Sequence, residues 1–153
     1  MKRIALIAAA AALITGAVVP AAAASGSGSS TGFTMYGQMA GAGVTGTVVP
    51  GQYFTFVFTM TNTTHRNVNE DLVLKNVTNV ELHQGYVCTA NGMDGKWCEP
   101  GGVAPGESVT LVVAGEVHSP PVAPLVAAAR ACAINEDTGV RGPCMTVKEP
   151  ISS

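Results

Sequence analysis

Gln52-Tyr53-Phe54-Thr55-Phe56-Val57-Phe58-Thr59-Met60-Thr61 is the stretch that decides the fold class. Successive side chains of an extended chain point to opposite faces, so Phe54, Phe56, Phe58 and Met60 share one side while Tyr53, Thr55, Val57 and Thr59 share the other. Four large apolar groups spaced by two cannot share one face of a helix, so this is a strand with one face committed to a core. Pro50-Gly51 before it is a turn, and the polar run Asn62 to Asp71 after it is a loop.

Outward from this strand the pattern repeats. Val109, Leu111 and Val113 alternate with Ser108, Thr110 and Val112 in a second strand, Glu107 to Val117, entered through the turn Ala104-Pro105-Gly106. Leu72 to Tyr86 reads as one longer strand or two broken near Asn79, with Leu72, Leu74, Val80 and Leu82 as apolar positions. Val87 to Cys98 holds Asn91-Gly92 and Asp94-Gly95, both reverse-turn dipeptides, and reads as a hairpin. The alanines of Leu125 to Ile134 would suit a helix, but Pro120, Pro121 and Pro124 break its front and Cys132 and Ile134 suit a strand. Cys144 to Lys148 is the last strand. About seven strands separated by turns predict an all-β, immunoglobulin-like antiparallel sandwich. The cysteine-tryptophan-cysteine arrangement of antibody domains is absent, because Trp97 sits beside Cys98.

The beginning of the chain places this sandwich outside the cytoplasm. Lys2 and Arg3, an apolar run from Ile4 to Val19, and Pro20 followed by four alanines have the order of a cleavable signal peptide over residues 1–24. Ala22 and Ala24 suit cleavage before Ser25, and neither a twin-arginine pair nor a lipobox cysteine accompanies them. Residues 25–31 form a Ser/Gly leader expected to be flexible, and residues 32–150 one β-sandwich domain. Cleavage leaves residues 25–153, in which six basic residues face ten acidic ones. That balance excludes the basic stripe of a nucleic-acid binder. No second apolar run of membrane length follows, so the expected product is secreted, with no membrane span in the mature chain.

Four cysteines in an exported chain predict two disulfides. Three pairings are open; Cys88 with Cys98 and Cys132 with Cys144 is favoured, because each pair encloses a short, Gly-bearing loop. Zinc is disfavoured by the compartment and by the lack of a C-x-x-C spacing. His65, His83 and His118 have no partner at ligand spacing, and Ser108 lacks the second glycine of a nucleophile elbow, so no catalytic, cofactor or metal residue is assigned. Asn69-Glu70-Asp71 and Asn135-Glu136-Asp137 repeat one oxygen-rich tripeptide. Calcium prefers such oxygens, but no spaced loop motif accompanies them and solvated turns are the simpler reading. Asn62-Thr63-Thr64 and Asn76-Val77-Thr78 match the glycosylation sequon, a chance match in a chain of bacterial style. Phe33, Met35, Tyr36, Met39 and Tyr53 belong to a contact surface or to the outer core.

The Pro50 to Asn62 strand, the cysteine-bounded segment Cys88 to Cys98 and Ala104-Pro105-Gly106-Glu107-Ser108-Val109-Thr110 resemble, in order, the bacterial conserved repeat domain of unknown function. The resemblance spans roughly Val44 to Val117. Where that family often has an Asn-Thr-Ala type strand near its end, this chain has Ala127-Ala128-Ala129-Arg130-Ala131-Cys132. It implies an immunoglobulin-like structural, adhesive or spacer module with no catalytic residues. The Cys88 to Cys98 interval is also similar to one in the actinomycete apoproteins that carry enediyne chromophores, which would imply an apolar cleft holding a small molecule. The expected function is thus an exported, non-enzymatic module contacting a protein or envelope component. The alternatives are a small-molecule carrier and a protease inhibitor presenting the loop Thr89 to Trp97.

Overall fold

The computed structural model describes residues 32–41, 46–83, 86–89, 93–94 and 97–152. The expected signal peptide and leader, residues 1–31, lie outside them, as do residues 90–92 and 95–96 of the expected reverse turns. The described residues form ten strands and no helix: β1 Phe33–Ala40, β2 Tyr53–Asn62, β3 Glu70–Thr78, β4 Val80–Leu82, β5 Val87–Cys88, β6 Met93–Asp94, β7 Trp97–Cys98, β8 Ser108–Val117, β9 Val126–Asn135 and β10 Arg141–Pro150. They make the expected all-β antiparallel sandwich. One sheet has the order β1-β2-β8-β4, with β5 also on the free side of β8; the other runs β10-β9-β3-β7-β6.

The alternation in β2 works as its sequence requires. Phe54, Phe56, Phe58 and Met60 are buried, and β8 pairs alongside with Phe58 opposite Leu111 and Phe56 opposite Val113. The inner face of β9 is small where that of β2 is large: Ala127, Ala129, Ala131 and Ala133 are all buried in the same core cluster. Two stacked sheets stand about 10 Å apart, so phenylalanines on one side leave room for little more than methyl groups on the other. This packing overrides the helical preference of an alanine-rich run.

The chain changes sheets at Asn79. β3 belongs to the second sheet and β4 to the first, and Asn79 between them has φ 52°. Asparagine tolerates this left-handed conformation better than other residues with a side chain, apart from aspartate. Its buried amide then pins the crossover that returns from β8 to β9. Asn79 Nδ2 donates to the carbonyls of Val122, Pro124 and Val126 at 2.7, 2.7 and 3.1 Å, and Oδ1 accepts from Val122 N–H at 2.8 Å. The backbone carbonyl of Asn79 accepts from His118 N–H.

Both favoured disulfides form. Val87 to Cys98 is not one hairpin, however. β5 leaves to pair with β8 in the first sheet, while β6 and β7 form a smaller hairpin beside β3 in the second. Cys88–Cys98 therefore joins the two sheets, with Cα atoms 5.6 Å apart. Cys132–Cys144 links directly opposed residues of β9 and β10.

Sandwich closure sets the first prediction. A Cβ on Gly37 in β1 would stand 2.7 Å from side-chain carbons of Met145 and Val147 in β10. Gly37→Val is expected to lower unfolding free energy by about 1–3 kcal/mol through overpacking, read from urea denaturation. Asn79→Ala strips the crossover of its partners and is expected to cost about 2–4 kcal/mol in the same assay. The exposed Asn76→Ala is the matched control and is expected to stay within about 0.5 kcal/mol of the parent chain.

Candidate ligand-binding cleft

The two Asn-Glu-Asp tripeptides are brought together by strand pairing. Asn69-Glu70-Asp71 leads into β3 and Asn135-Glu136-Asp137 leads out of β9, with Glu70 opposite Asn135 and Asp71 opposite Ile134. Their asparagines lock the loops. Asn135 Nδ2 donates to Asn69 O at 3.1 Å and to Glu70 Oε1 at 3.2 Å, and Asn135 Oδ1 accepts from the Thr138 N–H and hydroxyl. Gly139, at φ 66°, closes the turn with an N–H donated to Asn135 O. Several of the oxygens a calcium ion would need are spent on these bonds. Among the described residues no three His, Cys, Asp or Glu side chains converge to hold a metal ion.

The same strand alternation separates the two acids. Glu70 is buried, with Oε2 lacking a hydrogen-bond partner, and burial raises its pKa against the lowering effect of Asn135. Asp71 turns to the outer surface of the second sheet and lines a cleft of about 370 Å³ together with Trp97, Glu99, Ile134, Glu136 and Gly139. Only 4% of Asp71 is exposed, and its Oδ1 has no hydrogen-bond partner. Burial, reinforced by the negative charges of Glu136 and Glu99, pushes its carboxyl up to about 6. The Trp97 indole already attracts a cation: Lys75 Nζ lies 5.1 Å from the ring centroid. The cleft thus combines three carboxylates, one aromatic ring and the aliphatic side chain of Ile134.

Elsewhere the sequence candidates take structural places. Ser108 Oγ pairs with Thr61 Oγ at 2.8 Å. Asn62 is fully buried, donating to Arg66 O and Val103 O and accepting from Thr64, so this sequon asparagine is closed to modification in the folded chain. His83 is not isolated: it stacks obliquely on Tyr53, with ring centroids 5.3 Å apart, and its Nε2 lies 3.4 Å from Glu116 Oε2. The hydrogen bond to Glu116 holds the Tyr53 phenol above its ordinary range. Phe33 and Met39 join the core, while Tyr36 and Tyr53 are exposed. The sequence reading missed Trp97 and Glu99 as partners of Asp71. Their one local signal is that the chain's sole tryptophan is followed within two residues by a carboxylate.

No protein-family model matches the chain, nor does any curated protein. Among solved structures there are matches of low identity, one of which shares its fold. AvmM, described as catalysing macrocyclization in alchivemycin A biosynthesis, matches with TM-score 0.51 and 14% identity over 78% of this chain and 89% of its own. A FixG-related protein from Vibrio parahaemolyticus gives 0.44 and 10% over 80% and 98%. BcpA, the major pilin subunit of Bacillus cereus, gives 0.47 and 8% over 78% of this chain and 39% of its own. The likeness to AvmM is one of fold alone.

Asp71 gives the domain a defined pH response. Its pKa rises from 3.8 to about 6 on folding, so the folded chain holds this proton more tightly than the unfolded one. The contribution is fully present below about pH 4 and is lost as pH rises through about 6. Asp71→Asn is expected to remove that decline. It should raise stability at pH 7.5 by on the order of 1 kcal/mol, less than the full shift because solvent at the cleft mouth screens the charge. Denaturant melts of both chains from pH 4 to 8 check this.

Proposed function

We propose that the chain is an exported, non-enzymatic β-sandwich module that acts through surface contacts with a protein or envelope component. The observation that carries this reading is the outer face of the first sheet. Thr59 and Thr110 hydroxyls meet across β2 and β8 at 3.0 Å, Thr61 and Ser108 at 2.8 Å, and Thr55 Oγ donates to Ala40 O at 3.1 Å. Half-buried Val57 and Val112 lie between these groups, and Tyr36 and Tyr53 stand exposed beside them. Cross-strand pairing holds the hydroxyls in fixed rotamers, so contact with a partner costs little further side-chain entropy. The centre of this face carries no charge and suits a neutral polar surface.

Two further features support a contact role. Ser108, the one serine weighed as a nucleophile, is engaged with Thr61, and among the described residues no cysteine is free. The disulfides fit an oxidising compartment. The inhibitor alternative rests on a loop of which residues 90–92 and 95–96 lie outside the described ones, and no observation favours it.

Co-sedimentation with the envelope fraction of the producing cell tests the reading. The double variant Thr59→Lys, Thr110→Lys is expected to retain its circular dichroism spectrum and lose binding by about tenfold or more, because it places like charges on a neutral contact face. Undiminished binding by that variant would remove the face from the function. Turnover of any substrate that a single substitution abolishes would replace the reading with an enzymatic one.

A further inference from the structure

The cleft on the second sheet lies on the opposite outer surface from the hydroxyl face and carries its own chemistry. Asp71 is almost wholly buried at its floor, yet Oδ1 has no partner there. A buried carboxylate oxygen without a donor costs free energy that a ligand can recover. Glu99 and Glu136 line the same space, Ile134 supplies an apolar patch and Trp97 a flat ring. Two cationic groups stand beside the cleft: Lys75 lies over the Trp97 ring, and exposed Arg141 stands on β10 at the register position opposite Ile134.

We propose that this cleft binds an alkylammonium group, the chemistry of a lysine side chain or of a free primary amine, with the ammonium on Asp71 and its stem against Ile134 and Trp97. An ammonium can donate to Asp71 while Glu99 and Glu136, which line the same cleft, add attraction at longer range. An alkyl stem matches the Ile134 side chain and the indole. A bare metal ion fits poorly, since Ile134 and Trp97 offer it no ligand atoms. The carboxylates also do not converge as metal ligands do. A neutral apolar guest would leave all three carboxylates desolvated without compensation.

Trp97 is the only tryptophan in the chain, so its emission reports on the cleft without competing signals. The intact secreted protein is titrated with acetyl-Ala-Lys-Ala-amide, with n-butylammonium, with the norleucine analogue of the peptide, and with calcium chloride. Amide shifts of Ile134 and Gly139 in a ¹⁵N correlation spectrum serve as a second readout. Both cationic probes are expected to saturate the two signals, and the norleucine peptide to leave them unchanged. Affinity should fall as sodium chloride rises and screens the carboxylates. Tighter binding of the lysine peptide marks a polypeptide source; equal binding marks a free amine. Asp71→Asn is expected to weaken both cationic probes by about tenfold or more, and Glu99→Gln or Glu136→Gln by a few-fold each. Lys75→Met is expected to retain binding. The proposal is overturned by silence in both readouts, by an equal response to the norleucine peptide, by saturation with calcium alone, or by an Asp71→Asn variant that binds like the parent. None of these results depends on envelope binding through the hydroxyl face, so the two readings fail separately.

Discussion

The corner at Asn79 is the constraint on which the arrangement of strands depends. At this residue an extended run leaves one sheet and enters the other, and the same buried amide fastens the strand-to-strand crossover at residues 122–126. Asparagine combines the three properties required here: tolerance of positive φ, an N–H₂ donor and a carbonyl acceptor. Aspartate would offer no donor, and glycine would turn the chain without holding the crossover. Asn62 and Asn135 act in the same manner at other strand ends, each satisfying backbone groups of a neighbouring loop. Long connections that form no ladder of their own are thus anchored at a few points by side-chain amides.

The outer face of the second sheet follows from this anchoring. With β3 directed into that sheet, strict alternation sends Leu72 and Leu74 to the core and Asp71 and Val73 outward. Pairing of β3 with β7 sets Trp97 opposite Val73, and pairing with β9 sets Ile134 opposite Asp71. A carboxylate, an indole and an aliphatic side chain therefore meet because of register, although 26 residues separate Asp71 from Trp97 and a further 37 separate Trp97 from Ile134.

What could be read from the sequence divides along the same line. The faces of β2 and β8, the break near Asn79 and the pairing of the cysteines follow from local alternation, from the turn preference of asparagine and from loop length. The sheet to which each short strand belongs does not. Val87-Cys88 and Trp97-Cys98 look like arms of one hairpin, but two-residue strands carry too little pattern to choose a partner, and core packing sends them to different sheets. The acidic tripeptides were visible as a repeat, while their juxtaposition and the addition of Trp97 and Glu99 depend on strand pairing across the domain. His83 likewise gains Tyr53 and Glu116 only through the pairing of β2, β4 and β8.

The bond between Cys88 and Cys98 also has a mechanical meaning. The two layers of a sandwich are held to each other chiefly by side-chain packing, which yields when the layers slide in opposite directions. This bond runs from β5, zipped to β8 in one layer, to β7, zipped to β3 in the other. Sliding forces are therefore carried at that end by a covalent link and by the hydrogen bonds that flank it. A module whose face is tethered to a partner while its other layer is dragged by moving fluid would keep its layers in register there until those strands peel from their neighbours.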